Sequence, residues 1–222
     1  LGASLDGKTA LKNGESKWIT GPQARIDVQH FRAQQSAILS SSVTVLADDP
    51  SLNVRFDELK KSMQFKNEIS AEQLRQTLRI ILDRQNKLTL REKIFSLPGK
   101  IILVALQARN DLSHFKSVAQ VETLICPADK AGNINLHALL GLLNQYELND
   151  IWLEVGATLA GAFFKAQLVD QFVLYQAPKI MGAQARSLIN LDDFSTMDDV
   201  LQLTLQNVTV IGNDISIIGN RV

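Results

Sequence analysis

Short, continuous apolar runs recur along the chain, at residues 37–39, 78–82, 101–105, 121–125, 151–153 and 171–175, several of them rich in β-branched side chains. Runs of this length without polar alternation suit strands covered on both faces, as in a parallel sheet. Helical spacing appears between them. Residues 21–35 open close to Pro22 and carry Val28 and Phe31 one helical turn apart. Residues 136–146 bring Leu139, Leu140, Leu142 and Leu143 together, and residues 157–166 form a third helical stretch. Strands alternating with helices predict an α/β fold, with a mainly parallel central sheet flanked by helices. The C-terminus changes period. "LQLTLQNVTVIGNDISIIG" alternates apolar and polar positions about Gly212-Asn213-Asp214, which predicts an antiparallel hairpin. Residues 57–77 are polar without a clear period and read as a surface excursion with some helix. Leu1 falls in what reads as the middle of a strand, so a preceding segment is expected.

Composition narrows the function. The 222 residues are 45% hydrophobic, enough for one large core, and we read residues 1–222 as a single domain. The net charge of zero, without a basic run, leaves no electrostatic footprint for nucleic acid. No run reaches the roughly 18 apolar residues of a membrane span, and no signal peptide is visible. The lone cysteine, Cys126, excludes an internal disulfide and a cysteine-type zinc site. It lies between an apolar run and Pro127 with no histidine beside it in sequence, so it reads as a buried structural thiol. His30, His114 and His137 are scattered and suggest no metal site. These features fit a cytoplasmic protein.

Three stretches carry candidate chemistry. In "WLEVGATLAGAFF" a strand ends in an acid, Glu154, and a helix begins after Gly156-Ala157-Thr158. The head of that helix would aim N–H groups and its positive dipole end at the turn, which suits a phosphate. A tight turn that needs small residues is the other reading. In "ASLDGKTALKNGESKWITG", Trp18 precedes the first helix and could stack on a flat ring or pack. In "SSSVTVLADDPSLNVR", Asp48 and Asp49 precede Pro50, and Arg55 follows. Arg32, inside the first helix, could pair with one of these acids or with a substrate phosphate. The dinucleotide fingerprint G-x-G-x-x-G is absent.

Taken in order, "ASLDGK", "GESKWIT", R-A-Q at 32–34, "TVLADDPSLNVR", "LEVGATLAG" and "APKIMG" resemble the reductase domain of the bifunctional riboflavin-biosynthesis deaminase–reductase, across nearly the whole chain. The resemblance implies a dihydrofolate-reductase-like fold and reduction of a phosphoribosylaminopyrimidine, 5-amino-6-(5-phosphoribosylamino)uracil, by NADPH. It implies that Ser16, Arg32, Leu52 and Arg55 hold the substrate, the arginines at its 5-phosphate, with Glu154 at the reacting end. Ala3, Trp18, Thr44 and Asp48 would line the cofactor side. Gly156, Ala157, Thr158, Leu159, Ala160 and Gly161 would cradle the pyrophosphate. Arg84, just past "LRIILD", stands where the family places a residue for the cofactor's ribose phosphate, often a hydroxyl. A solvated arginine paired with Asp83 is the alternative.

Three departures stand out. Val155 replaces a glycine that the family often has after the glutamate, and the family's lysine on the strand before Leu1 lies outside the chain. The zinc deaminase signatures H-x-E and P-C-x-x-C are absent. The chemistry implied is hydride addition to C1 of the opened ribose, with Asp48 or Glu154 as the acid–base group, or both as anchors. A reductase of the same fold acting on a pterin or on a variant pyrimidine is one rival. A non-catalytic domain that needs a deaminase half is the other. A homodimer is expected from the exposed edges of the hairpin, and fusion to a deaminase domain from the family.

Overall fold

The computed structural model describes residues 1–62, 69–111, 113 and 121–222. In chain order its strands are β1 (Gly2–Ser4), β2 (Lys8–Ala10), β3 (Ala37–Ser41), β4 (Leu78–Leu82), β5 (Ile101–Ala105), β6 (Val121–Ile125), β7 (Ile151–Leu153), β8 (Gln171–Ala177), β9 (Arg186–Ser187), β10 (Leu203–Ile211) and β11 (Asp214–Arg221). The helices are α1 (Pro22–Gln34), α2 (Ser42–Asp48), α3 (Phe56–Leu59), α4 (Leu136–Leu143) and α5 (Ala157–Lys165). The chain divides into two compact units, one of Val28–Val155 and one of Leu1–Asp27 with Gly156–Val222.

The Val28–Val155 unit is built on a five-stranded sheet in the order β6-β5-β4-β3-β7, with every pairing parallel. The largely apolar runs of β3, β4 and β5 explain this. β5 is buried along its whole length, as a strand covered on both faces must be. Ile38, Leu52, Ile81, Leu88, Phe95, Ile101 and Leu103 pack as one core. "LRIIL" hides one charge. Arg79 is buried and donates to the carbonyls of Ile94, Leu97, Pro98 and Gly99. Burial pulls its pKa down to about 10.

The other unit carries a four-stranded sheet, β1-β8-β11-β10, in which β1 and β8 run parallel and the rest antiparallel. The expected hairpin is β10–β11. Gly212 turns it at φ +63, a backbone that side chains disfavour. A bulge interrupts β10 between Leu205 and Asn207. The all-parallel core and the hairpin thus belong to separate sheets, the second of them mixed.

Several elements were invisible in the pattern. α2 is written "SVTVLAD", a β-branched stretch of poor helix propensity. Its start is fixed instead by Ser41, whose Oγ accepts from Thr44 N at 3.3 Å, and its end by Asp49 in the left-handed region. β1, β2 and β9 have two or three residues each, too few for a period. The expected excursion over residues 57–77 lies partly outside the described residues, and its described part starts with α3. Cys126 is fully buried, and burial pushes its thiol pKa up, as a structural thiol should show. Among the described residues no helix is long and apolar enough to cross a membrane. None of their His, Cys, Asp and Glu side chains gather into a metal-binding group; His114 lies outside them.

Candidate active site

Parallel pairing brings the carboxyl ends of β3, β4 and β7 to one edge of their sheet, where open α/β sheets bind ligands. Glu154 follows β7 there. Its two carboxylate oxygens meet Arg32, from the last turn of α1, in a bidentate pair: Nε to Oε1 at 2.6 Å and Nη2 to Oε2 at 2.7 Å. Arg32 Nη1 donates to the Asn53 carbonyl at 2.9 Å. The Arg32 side chain is 9% exposed and that of Glu154 21%. Trp152 Nε1 adds a third donor to the carboxylate at 2.9 Å. Burial alone would raise the Glu154 pKa, but the Arg32 charge and these hydrogen bonds outweigh it and hold the group below the ordinary carboxylate range. Phe31 stacks flat on Trp152, with ring centroids 4.9 Å apart. The sequence reading overlooked Trp152. Two residues from Glu154 on a strand, it projects to the same face, and that spacing was the available signal.

The segment after β3 carries the next group of residues. Thr44 lies in the first turn of α2, where its hydroxyl is 3.3 Å from Ser41 Oγ. Asp48 closes α2 with an exposed side chain. Leu52 has φ +45 and a side chain only 1% exposed, packed in the core. As placed, the residue presents almost no surface to a ligand. Arg55 N donates to Gln29 Oε1 at 2.9 Å, and its half-exposed guanidinium pairs with Glu58 at 2.9 Å. Gln29, fully buried, ties this segment to α1 and gave no signal in the sequence.

Arg84 follows β4 at the same sheet edge. It does not pair with Asp83. Asp83 is fully buried and accepts from Arg109 Nη1 at 3.0 Å and from the backbone of Lys87 and Leu88. Arg84 Nη1 instead reaches Asn133 Oδ1 at 2.8 Å and the Gly132 carbonyl at 3.1 Å.

The remaining candidates belong to the other unit. Ala3 is fully buried in β1, an edge strand of its sheet. Ser16 is half-buried. Trp18 is 67% exposed and lies 4.6 Å from the Arg25 guanidinium, in cation–π contact. Gly156 to Gly161 form the head of α5, where two glycines differ in kind. A Cβ on Gly161 would lie 1.7 Å from the Asn190 carbonyl oxygen, so close packing requires that glycine. A Cβ on Gly156 would meet nothing within 4 Å, and its φ of −74 is ordinary. Nothing in the fold demands glycine at 156. Its missing side chain leaves the helix head open to an approaching group. Helical bonding here begins with Ala160 N to Gly156 O at 3.0 Å, so the N–H groups of residues 157–159 have no helical acceptor. Thr158 is exposed and its hydroxyl accepts from Asn190 Nδ2 at 3.1 Å. These residues fit a nucleotide pyrophosphate.

The all-parallel sheet flanked by helices, with a second, largely antiparallel sheet, defines an α/β protein of the dihydrofolate-reductase-like class. The chain belongs to the RibD C-terminal domain family, which it matches over residues 1–217. It is 43% identical over 215 residues to riboflavin biosynthesis protein RibD of Escherichia coli, covering 97% of this chain and 57% of that protein. It is 40% identical over 210 residues to 5-amino-6-(5-phosphoribosylamino)uracil reductase of Buchnera aphidicola, covering 94% of this chain and 97% of that protein. Among solved structures it resembles RibD of Acinetobacter baumannii, with TM-score 0.83 and 35% identity over the whole chain and 56% of that protein. The chain thus spans little more than half the length of the RibD relatives it matches. Membership in this reductase family implies a nucleotide cofactor.

Proposed function

We propose that this chain is the reductase portion of a riboflavin-biosynthesis protein, fused in its full length to a deaminase domain. It reduces the ribose of 5-amino-6-(5-phosphoribosylamino)uracil to the ribityl product, with NADPH as the reductant. One observation carries this reading. The chain covers 97% of a relative named for that reductase activity alone, so the reductase function falls within this stretch of sequence. The protein acts in the cytoplasm as a homodimer and binds neither nucleic acid nor membrane.

The head of α5 would hold a reduced nicotinamide nucleotide, which would supply a hydride for C1 of the opened ribose. Glu154 is an anchor and not a proton donor, because Arg32 and Trp152 occupy three of the roughly four acceptor positions of its carboxylate and favour the ionised form. Its negative charge accepts hydrogen bonds from the substrate. Proton movement during ring opening falls to Asp48, which is exposed at the end of α2. Arg55 grips the 5-phosphate by exchanging Glu58 for the stronger anion. Arg32 already commits three N–H groups to Glu154 and the Asn53 carbonyl, so it shares that phosphate only with what remains. Ser16 contributes its hydroxyl. Ala3, Trp18 and Thr44 line the cofactor, and Arg84 takes its ribose 2′-phosphate.

The test is NADPH oxidation by this chain with the pyrimidine substrate, beside a pterin. Turnover with the pyrimidine alone is expected. Preference for the pterin would replace the substrate assignment. No turnover with either, restored on adding a deaminase domain, would make the chain a dependent partner.

A further inference from the structure

Arg84 is held at one corner only. Its Nη1 carries both contacts, to Asn133 Oδ1 and the Gly132 carbonyl. Among the described residues no acceptor meets its Nε or Nη2. A guanidinium is a planar fork. Pinned at Nη1, it keeps its Nε–Nη2 edge, two parallel donors, for a bidentate anion.

The pinning surface is itself rigid. Asp129 N donates to the Asn133 carbonyl at 2.7 Å, and Gly132 N to the Asp129 carbonyl at 3.1 Å. Asp129 Oδ1 accepts from Ala131 N at 2.9 Å and from Asn133 N at 2.8 Å. Gly132 makes the turn possible at φ +78. An antiparallel bridge between Ala128 and Ile134 closes its base. Asn135 then caps α4 through Ala138 N at 3.0 Å. The backbone of Arg84 is fixed from the other side. Asp83 N donates to the Val104 carbonyl at 2.8 Å, and the Asp83 side chain is locked by Arg109.

We propose that the turn of residues 129–133 positions Arg84, and that Asn133 is a specificity-determining residue for the 2′-phosphate of the cofactor. The inference rests on the reading of Arg84 given above. A free arginine loses side-chain freedom when it grips an anion; one already pinned loses less, and the saving appears as affinity.

The test is calorimetric binding of adenosine 2′,5′-bisphosphate and of AMP to four proteins: the native chain, Asn133→Ala, Arg84→Ala and the double variant. Arg84→Ala should weaken bisphosphate binding by about ten- to a hundredfold. Asn133→Ala, which keeps the Gly132 acceptor, should weaken it by about three- to tenfold. AMP affinity should stay constant throughout, which also reports an intact fold. Asn133→Ala should add nothing once Arg84 is gone. Native bisphosphate affinity in Asn133→Ala, with loss in Arg84→Ala, overturns the inference and leaves the Arg84 reading standing. Native affinity in Arg84→Ala overturns both. Equal losses for the two ligands in Asn133→Ala would mean the turn serves the adenosine and not Arg84.

Discussion

At the scale of single residues, the Arg32–Glu154 pair decides most. A bidentate pair this buried is costly to break, because the surviving partner stays desolvated without its counter-charge. Glu154→Gln should therefore cost about 3 kcal/mol of stability near neutral pH, measured by urea unfolding. The effect has a pH signature. Glu154 titrates below its ordinary value in the folded protein, so its contribution is present above the unfolded carboxylate value of about 4.3. It is lost as pH falls through the folded value. The native chain and Glu154→Gln should then converge in stability on acidification, and a constant gap across that window would count against the ion pair as the cause. Arg55 behaves differently. Its guanidinium is nearly half exposed, so Arg55→Ala should barely change stability and should raise the substrate KM while cofactor binding holds. A drop in cofactor affinity with an unmoved substrate KM would refute the phosphate assignment. The family resemblance implied both arginines as ligands of one phosphate, whereas residue type alone left Arg32 open between an acid and a phosphate. Which anion each one faces depends on burial and on partners far along the chain. Glu154 lies 122 residues from Arg32, and no local pattern records such a pairing.

At the scale of elements, the strands of the parallel core were legible because burial on both faces leaves largely apolar runs, as in β5. The hairpin was legible because one-sided pairing leaves alternation. α2 was not, since a capping hydroxyl and one left-handed residue define it against its own propensity. The head of α5 shows what residue type conceals. Gly156 and Gly161 look equivalent in "GATLAG", yet one faces open space and the other faces the Asn190 backbone. Gly156→Ala should keep the native melting temperature and weaken NADPH binding by about tenfold or more, from loss of close backbone approach. Gly161→Ala should be strongly destabilising, by several kcal/mol on the order of other overpacked sites, because backbone must move to admit the methyl. Thermal melts with and without NADPH separate the two outcomes. A stable Gly161→Ala, or a Gly156→Ala with native NADPH affinity, would overturn the respective assignment.

At the scale of the whole molecule, the sheet order leaves β10 at an edge of the β1-β8-β11-β10 sheet. It is a nine-residue strand exposed almost throughout, with Leu205, Val208 and Val210 at 63%, 55% and 75% exposure. Long apolar edge strands invite pairing, and natural proteins usually blunt them with charge, bulges or a covering partner. β10 has one bulge, between Leu205 and Asn207, and no charged side chain along its length. A second copy is the occupant we propose. A two-fold contact would let each β10 cover the other with the same surface, and the apolar side chains would supply the burial that isolated backbone pairing lacks. Sedimentation at micromolar concentration should therefore give a dimer. Val208→Lys combined with Val210→Glu should shift it to monomer, with little loss of monomer stability, because both side chains face solvent in the single chain. A native chain that sediments only as monomer would refute the dimer. A native dimer that survives the double substitution would place its interface elsewhere than on β10.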